Sequence, residues 1–179
     1  MRKGLYISLF LFLISYSNIY SQDSNLKISE EYKRIENSKT LKIDSVSLKR
    51  GIDFSQGSNA DEKIYKIFNK GKRIIKIEYE ERNEGYRKWQ KKTTIYLKND
   101  LPFFIVEKSD GTMTLYTSNG EKAEPYKNFE EIYIYNWNEE KFTRFNNGHL
   151  AIPEMKICKI CYEELIKKVK SEIKNKKVD

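Results

Sequence analysis

Ile64-Tyr65-Lys66-Ile67-Phe68, Asn69-Lys70-Gly71, Ile74-Ile75-Lys76-Ile77-Glu78-Tyr79 is the stretch from which the architecture can be read. In its second run Ile75, Ile77 and Tyr79 fall on one face, and Lys76, Glu78 and Glu80 on the other. That period of two predicts a β-strand with one side toward water. The intervening turn supplies Asn69 and Gly71, which accept positive φ, so the two runs read as an antiparallel hairpin. The pattern recurs downstream. Thr93-Thr94-Ile95-Tyr96-Leu97, a turn at Asn99-Asp100 and Phe103-Phe104-Ile105-Val106 form a second hairpin, with Pro102 at the start of the returning strand, where a missing donor does least harm. Ile132-Tyr133-Ile134-Tyr135, a turn at Asn138-Glu139-Glu140 and Phe142-Thr143-Arg144-Phe145 form a third. Met113-Thr114-Leu115-Tyr116 reads as a further short strand between Asp110-Gly111 and Asn119-Gly120.

Ile64-Tyr65, Ile95-Tyr96 and Ile132-Tyr133 each open a strand running into an Asn-containing turn, but their spacing is unequal, which argues against a solenoid. After His149 the period changes. Pro153 and Glu154 read as a helix start, and Cys158, Tyr162, Leu165, Val169 and Ile173 recur at steps of three and four, predicting a helix over 154–174. Lys167, Lys168, Lys170 and Lys174 crowd its later turns, the end that favours cations. The apolar stripe, with Cys158 on it, is expected to lie against a sheet face. The predicted class is therefore α+β: a curved antiparallel meander of five to seven strands packed by a C-terminal helix, covering 63–179.

Upstream, residues 22–62 form a polar lead-in belonging to the same domain. Ser29-Glu30-Glu31-Tyr32 is read as the opening of a short helix capped by Ser29. The pairs Leu41/Ile43 and Val46/Leu48 alternate like short strands, and Gly51 through Ala60 has the composition of a loop. Residues 1–21 are read as a signal peptide. Met1-Arg2-Lys3 is a positive start, and the apolar run from Gly4 to Tyr16 is too short for a bilayer span of about 20 residues. Cleavage is placed after Ser21, with Ile19 a poor fit at the second small-residue position. The mature protein is expected in the periplasm or outside the cell. Losing Arg2 and Lys3 lowers the formal charge of +8 by two.

The 179 residues suit one globular domain, and 13 Tyr, 9 Phe and 2 Trp make the chain too aromatic for disorder. One His and two Cys leave little material for a catalytic or metal centre, and neither a metal nor a cofactor is expected. His149, Cys158, Cys161 and Glu154 do not match a usual zinc spacing, and no nucleophile signature accompanies the single His. Glu80-Glu81 and Glu130-Glu131 are read as solvated acids, and the chain as not an enzyme. Cys158-Lys159-Ile160-Cys161 is the one recognisable motif, a disulfide candidate that stands as a quiet local bridge, two packed thiols or a redox pair.

Lys63, Lys66, Lys70, Lys72, Arg73 and Lys76 form a basic run without acids, and Arg87, Lys88, Trp89, Lys91 and Lys92 mix cations with an indole. Such clusters take phosphates in the cytoplasm, but export replaces nucleic acid with anionic glycans, lipid headgroups or acidic protein surfaces. A lysine-rich composition equally serves to keep sheet edges apart. Tyr133, Tyr135 and Trp137 alternate as an aromatic row, able either to bind sugars or to lie under the helix.

The hairpins over residues 63–147, such as Ile95-Tyr96-Leu97-Lys98-Asn99-Asp100 with Phe103-Phe104-Ile105-Val106, resemble small exported antiparallel-sheet proteins of unknown function from Gram-negative bacteria. They are also similar in style to MORN-like and periplasmic inhibitor-like meanders, a resemblance that transfers no functional residue. The expected function is that of an exported, non-catalytic binding protein with a basic, aromatic-bearing sheet surface. Its rival is a thiol–disulfide protein acting through Cys158 and Cys161.

Overall fold

A computed structural model describes residues 24–49, 60–83, 88–118, 120–148 and 157–176. The expected signal peptide over 1–21, residues 51–59 of the expected loop, Arg87, His149, Pro153 and Glu154 lie outside the described residues. The chain forms two compact units, Met1–Ser38 and Lys39–Asp179. In the first, helix α1 covers 24–36, a stretch without Gly or Pro, so Ser29 stands inside the helix and does not cap it. Arg34 meets Glu31 one turn back at 2.6 Å.

The second unit is the predicted meander. Strands β1 (Lys42–Lys49), β2 (Glu62–Lys70), β3 (Arg73–Asn83), β4 (Trp89–Lys98), β5 (Leu101–Thr117), β6 (Gly120–Asn136) and β7 (Lys141–Gly148) form one seven-stranded sheet in chain order. Every neighbouring pair is antiparallel. Two turns use residues that tolerate positive φ, Gly71 at 62° and Asn99 and Asp100 at 52° and 63°, while the third holds Glu140 at 53°. Part of the polar lead-in joins the sheet, since β1 pairs Val46 with Tyr65 and Leu48 with Lys63.

Met113–Tyr116 is not a separate strand. It continues β5 through Gly111, whose cross-strand partner is Trp89. A Cβ at position 111 would stand 2.8 Å from the Lys88 carbonyl and 2.9 Å from the Trp89 Cα, so the two backbones approach too closely for any side chain. Gly111→Ala is expected to cost about 1–3 kcal/mol, read as a lower urea midpoint.

Each of the three hairpins read from sequence carries a bulge beside its turn. Pairing skips Ile75 between Lys76 and Ile74, Phe103 between Phe104 and Pro102, and Tyr135 between Ile134 and Asn136. One extra residue reverses the alternation. Ile74, in place of the expected Ile75, therefore packs on the core with Ile77 and Tyr79. The inner face of the sheet carries Tyr65, Ile67, Ile77, Ile95, Leu97, Ile105, Ile132 and Ile134. The repeated Ile-Tyr pairs are not equivalent. Tyr65 is on the inner face, whereas Tyr96 and Tyr133 share the outer face with Phe104.

Helix α2 (Lys159–Lys176) covers the inner face with Ile166, Val169 and Ile173. Its length of about 27 Å matches the roughly 24 Å from β6 to β1, so it lies across the strands. Its start meets β5 and β6, where Tyr162 Oη donates to Glu107 at 3.2 Å and Trp137 Nε1 donates to Glu163 at 3.2 Å. Its end meets β1, where Lys176 Nζ donates to the Ser45 carbonyl at 2.8 Å. The helix begins at Lys159 and not at 154, and Cys158 is exposed at its start instead of lying on the buried stripe.

The outer face is not the wet side that its charges imply. Lys76, Glu78 and Glu80 are 5 %, 9 % and 6 % exposed. Lys76 and Lys92 both reach Glu78, at 3.2 and 3.0 Å, while Glu80 takes Arg82 and, at 2.8 Å, the amide of Gln90. Buried charges persist where opposite charges and donors surround them, and this cluster supplies both.

Candidate functional site

Tyr96, Phe103, Phe104, Tyr133 and Phe145 form an aromatic row on the outer face across β4 to β7. Tyr96 stands 5.5 Å from Phe104, Phe104 4.8 Å from Tyr133, and Tyr133 5.5 Å edge-on from Phe145, ring centroid to ring centroid. Phe103, the bulged residue of β5, joins at 6.3 Å from Tyr96. The register explains the row, since Tyr96 opposes Phe104 and Phe104 opposes Tyr133. Each tilted or edge-on pair contributes about 0.5–1.5 kcal/mol beyond its buried area. The row grades from Phe104 at 0 % exposure to Phe145 at 50 %, on a strand at the sheet's edge. Tyr135 is exposed next to it and its hydroxyl lies 2.9 Å from Thr143 Oγ1. Lys108 is exposed on the same face and sits 5.3 Å from the centre of the Phe129 ring.

Tyr133 and Tyr135 thus meet at this face, and Phe145, Phe104 and Tyr96 complete it. Trp137 does not belong to it. The bulge at Tyr135 breaks the alternation, and Trp137 is buried on the helix side, 6.5 Å from Tyr162. Burial and then the neighbouring Glu107 charge push the Tyr162 hydroxyl above its usual range, keeping it a donor. The basic stretch ahead of β4 is divided by its own pleat. Trp89 and Lys91 point to the inner side, while Lys92 points to the outer side and is held by Glu78. Lys88 is exposed and its carbonyl accepts from Thr112 N at 3.1 Å. The run from Lys63 to Lys76 is divided in the same way: Lys63 and Lys76 are buried, on opposite faces, and Lys70, Lys72 and Arg73 are exposed around the turn.

Cys158 and Cys161 form a disulfide, with Cα atoms 5.3 Å apart, at the start of α2. Among the described residues no group of three or more His, Cys, Asp or Glu is placed to hold a metal ion. Nor is any helix among them long and apolar enough to cross a membrane. No protein-family model, curated protein or solved structure matches the chain.

Phe104 and Phe145 are visible in sequence as strand residues. Their role in the row depends on which strands lie side by side and in what register, and a hairpin reading assigns register only within each hairpin.

Proposed function

We propose that this is an exported binding protein that engages an anionic glycan through the outer face of β6 and β7. The observation that carries the reading is the aromatic row that is anchored at buried Phe104 and ends at half-exposed Phe145. A rigid ring held from behind offers a flat apolar surface at little entropic cost, which suits the face of a sugar ring. Exposed Lys108 adds the charge that selects an anion. The signal-like first 21 residues and a disulfide, a bond that persists in oxidising compartments, support export. On the same face the Tyr133 hydroxyl donates to Glu131 at 3.2 Å, a carboxylate that a bound anion must stand clear of.

The test is titration of the mature protein with sulfated and neutral oligosaccharides, phosphatidylglycerol vesicles and a polyglutamate peptide. Phe145→Ala and Tyr135→Ala, both at exposed positions, are expected to weaken sulfated-glycan binding about tenfold, or 1.4 kcal/mol. Lys108→Glu should flatten its salt dependence. Equal binding by parent and variants, or loss only on reversing Lys88 and Lys91, overturns the assignment. Preference for the vesicle or the peptide replaces the glycan as ligand.

A further inference from the structure

The Cys158–Cys161 bridge stands apart from the aromatic row, on the helix-covered side of the sheet, and its surroundings are those of a reactive disulfide. Both cysteines are exposed. Cys158 immediately precedes α2, and Tyr162 N reaches its carbonyl at 3.3 Å, so its side chain stands at the positive end of the helix. The first turn contains no acid and does contain Lys159. A thiolate formed on Cys158 would stand at the positive end of the helix, with no carboxylate in that turn to oppose it and with the Lys159 ammonium nearby, 5.9 Å from the centre of the Trp137 ring. Two apolar features adjoin the bridge. Ile160, between the two cysteines, is 67 % exposed. Beside it, a shallow hollow with room for about one water molecule lies between the β6–β7 turn and the helix start, lined by Ile134, Asn136, Trp137, Glu140, Phe142, Ile157 and Lys159. A bridge serving only to staple the helix start does not require both of its cysteines to be exposed.

We infer that this bridge is a thiol–disulfide exchange site that oxidises paired cysteines in an extended, apolar exported polypeptide. A substrate thiolate attacks Sγ of Cys158, the S–S bond breaks, and its electron pair leaves on Cys161, which takes up a proton. The second substrate thiolate attacks the substrate sulfur of the mixed disulfide and expels Cys158 as the thiolate that the helix start stabilises. The substrate loses two electrons and two protons to become a disulfide, and the protein gains both as two thiols. One bridge oxidises one dithiol.

The experiment mixes the mature, oxidised protein with one equivalent of a reduced peptide carrying two cysteines flanked by Leu and Phe. Samples are quenched in acid, alkylated and weighed, with circular dichroism recorded in parallel. Transfer of two hydrogens from peptide to protein, with the spectrum unchanged, is expected. A bridge that stays closed in the folded protein and opens only in denaturant overturns the inference. Presented with the same peptide in its oxidised, disulfide form, Cys161→Ser is expected to trap a mixed disulfide on Cys158, with one peptide thiol released, at least tenfold more than Cys158→Ser traps one on Cys161. Equal trapping overturns the choice of Cys158. Lys159→Glu should slow exchange several-fold at unchanged stability, and an unchanged rate removes the electrostatic role. A glycan-binding result leaves this outcome untouched, and the reverse holds too.

Discussion

Glu78→Ala is expected to cost the fold about 3–5 kcal/mol, a large share of the roughly 5–15 kcal/mol that holds a domain together. Glu78 takes both Lys76 and Lys92, and Lys76 is buried with its ammonium 3.9 Å from the Phe68 ring centre. Removing the carboxylate takes from buried Lys76 its counter-charge at 3.2 Å, whereas Lys92 is open enough to turn to water. Lys76→Met combined with Glu78→Leu should recover most of the loss, because it removes both charges and keeps the volume. Urea unfolding of the three proteins checks this, and a Glu78→Ala protein as stable as its parent would show that the pair contributes nothing. The same contact sets an acid limit. Burial opposes the Glu78 carboxylate, but Lys92 and Lys76 outweigh it and hold its pKa below the ordinary 4.5. The folded state therefore favours the charged form. This stabilisation is complete above about pH 4.5 and is lost as pH falls through the lower, folded-state value.

That cluster also marks where the sequence stops being legible. Lys76, Glu78 and Glu80 alternate with Ile75, Ile77 and Tyr79, and alternation with charge is the usual mark of a wet face. The strand, its direction and its turn follow from the pattern, because Gly71 and the pair Asn99-Asp100 accept the backbone that tight turns impose. What alternation cannot reveal is whether charges on one face neutralise each other across strands. That depends on register, which places Lys92 beside Glu80 and diagonally within reach of Glu78.

The bulges are the second source of error. Skipping one residue at Ile75 and at Tyr135 leaves no trace in composition, yet it decides that Ile74 faces the core and that Trp137 leaves the aromatic row. Of the candidate binding residues, Tyr133 and Tyr135 lie together because they precede or occupy that bulge. Trp137 lies beyond it and packs under α2. The predicted helix survives as an element, but its start moves to Lys159. Pro153 and Glu154 lie outside the described residues, and the bridge stands at the start of the helix, after Ile157 and Cys158, which are not helical.

Val169→Asp is expected to undo the domain more completely than any other single change on the inner face. Val169 is fully buried in one apolar cluster with Tyr65, Ile77, Ile166 and Ile173, and a carboxylate there is cut off from water. The helix must then leave the sheet or take up a proton, so cooperative unfolding in urea should be lost at pH 7 and partly regained toward pH 5. Val169→Ala removes only methyl groups and should cost about 1–3 kcal/mol. The disulfide cannot substitute for this packing, because it links residues three apart inside the first turn of the helix and spans no gap to a strand. Loop closure over so few residues is worth about 2 kcal/mol. Serine at both cysteines should therefore leave α2 docked, whereas Val169→Asp should undock it with the bridge intact. A double-serine protein that loses the helix, or a Val169→Asp protein that keeps it, would transfer the anchoring role from the Ile166–Val169–Ile173 stripe to the bridge.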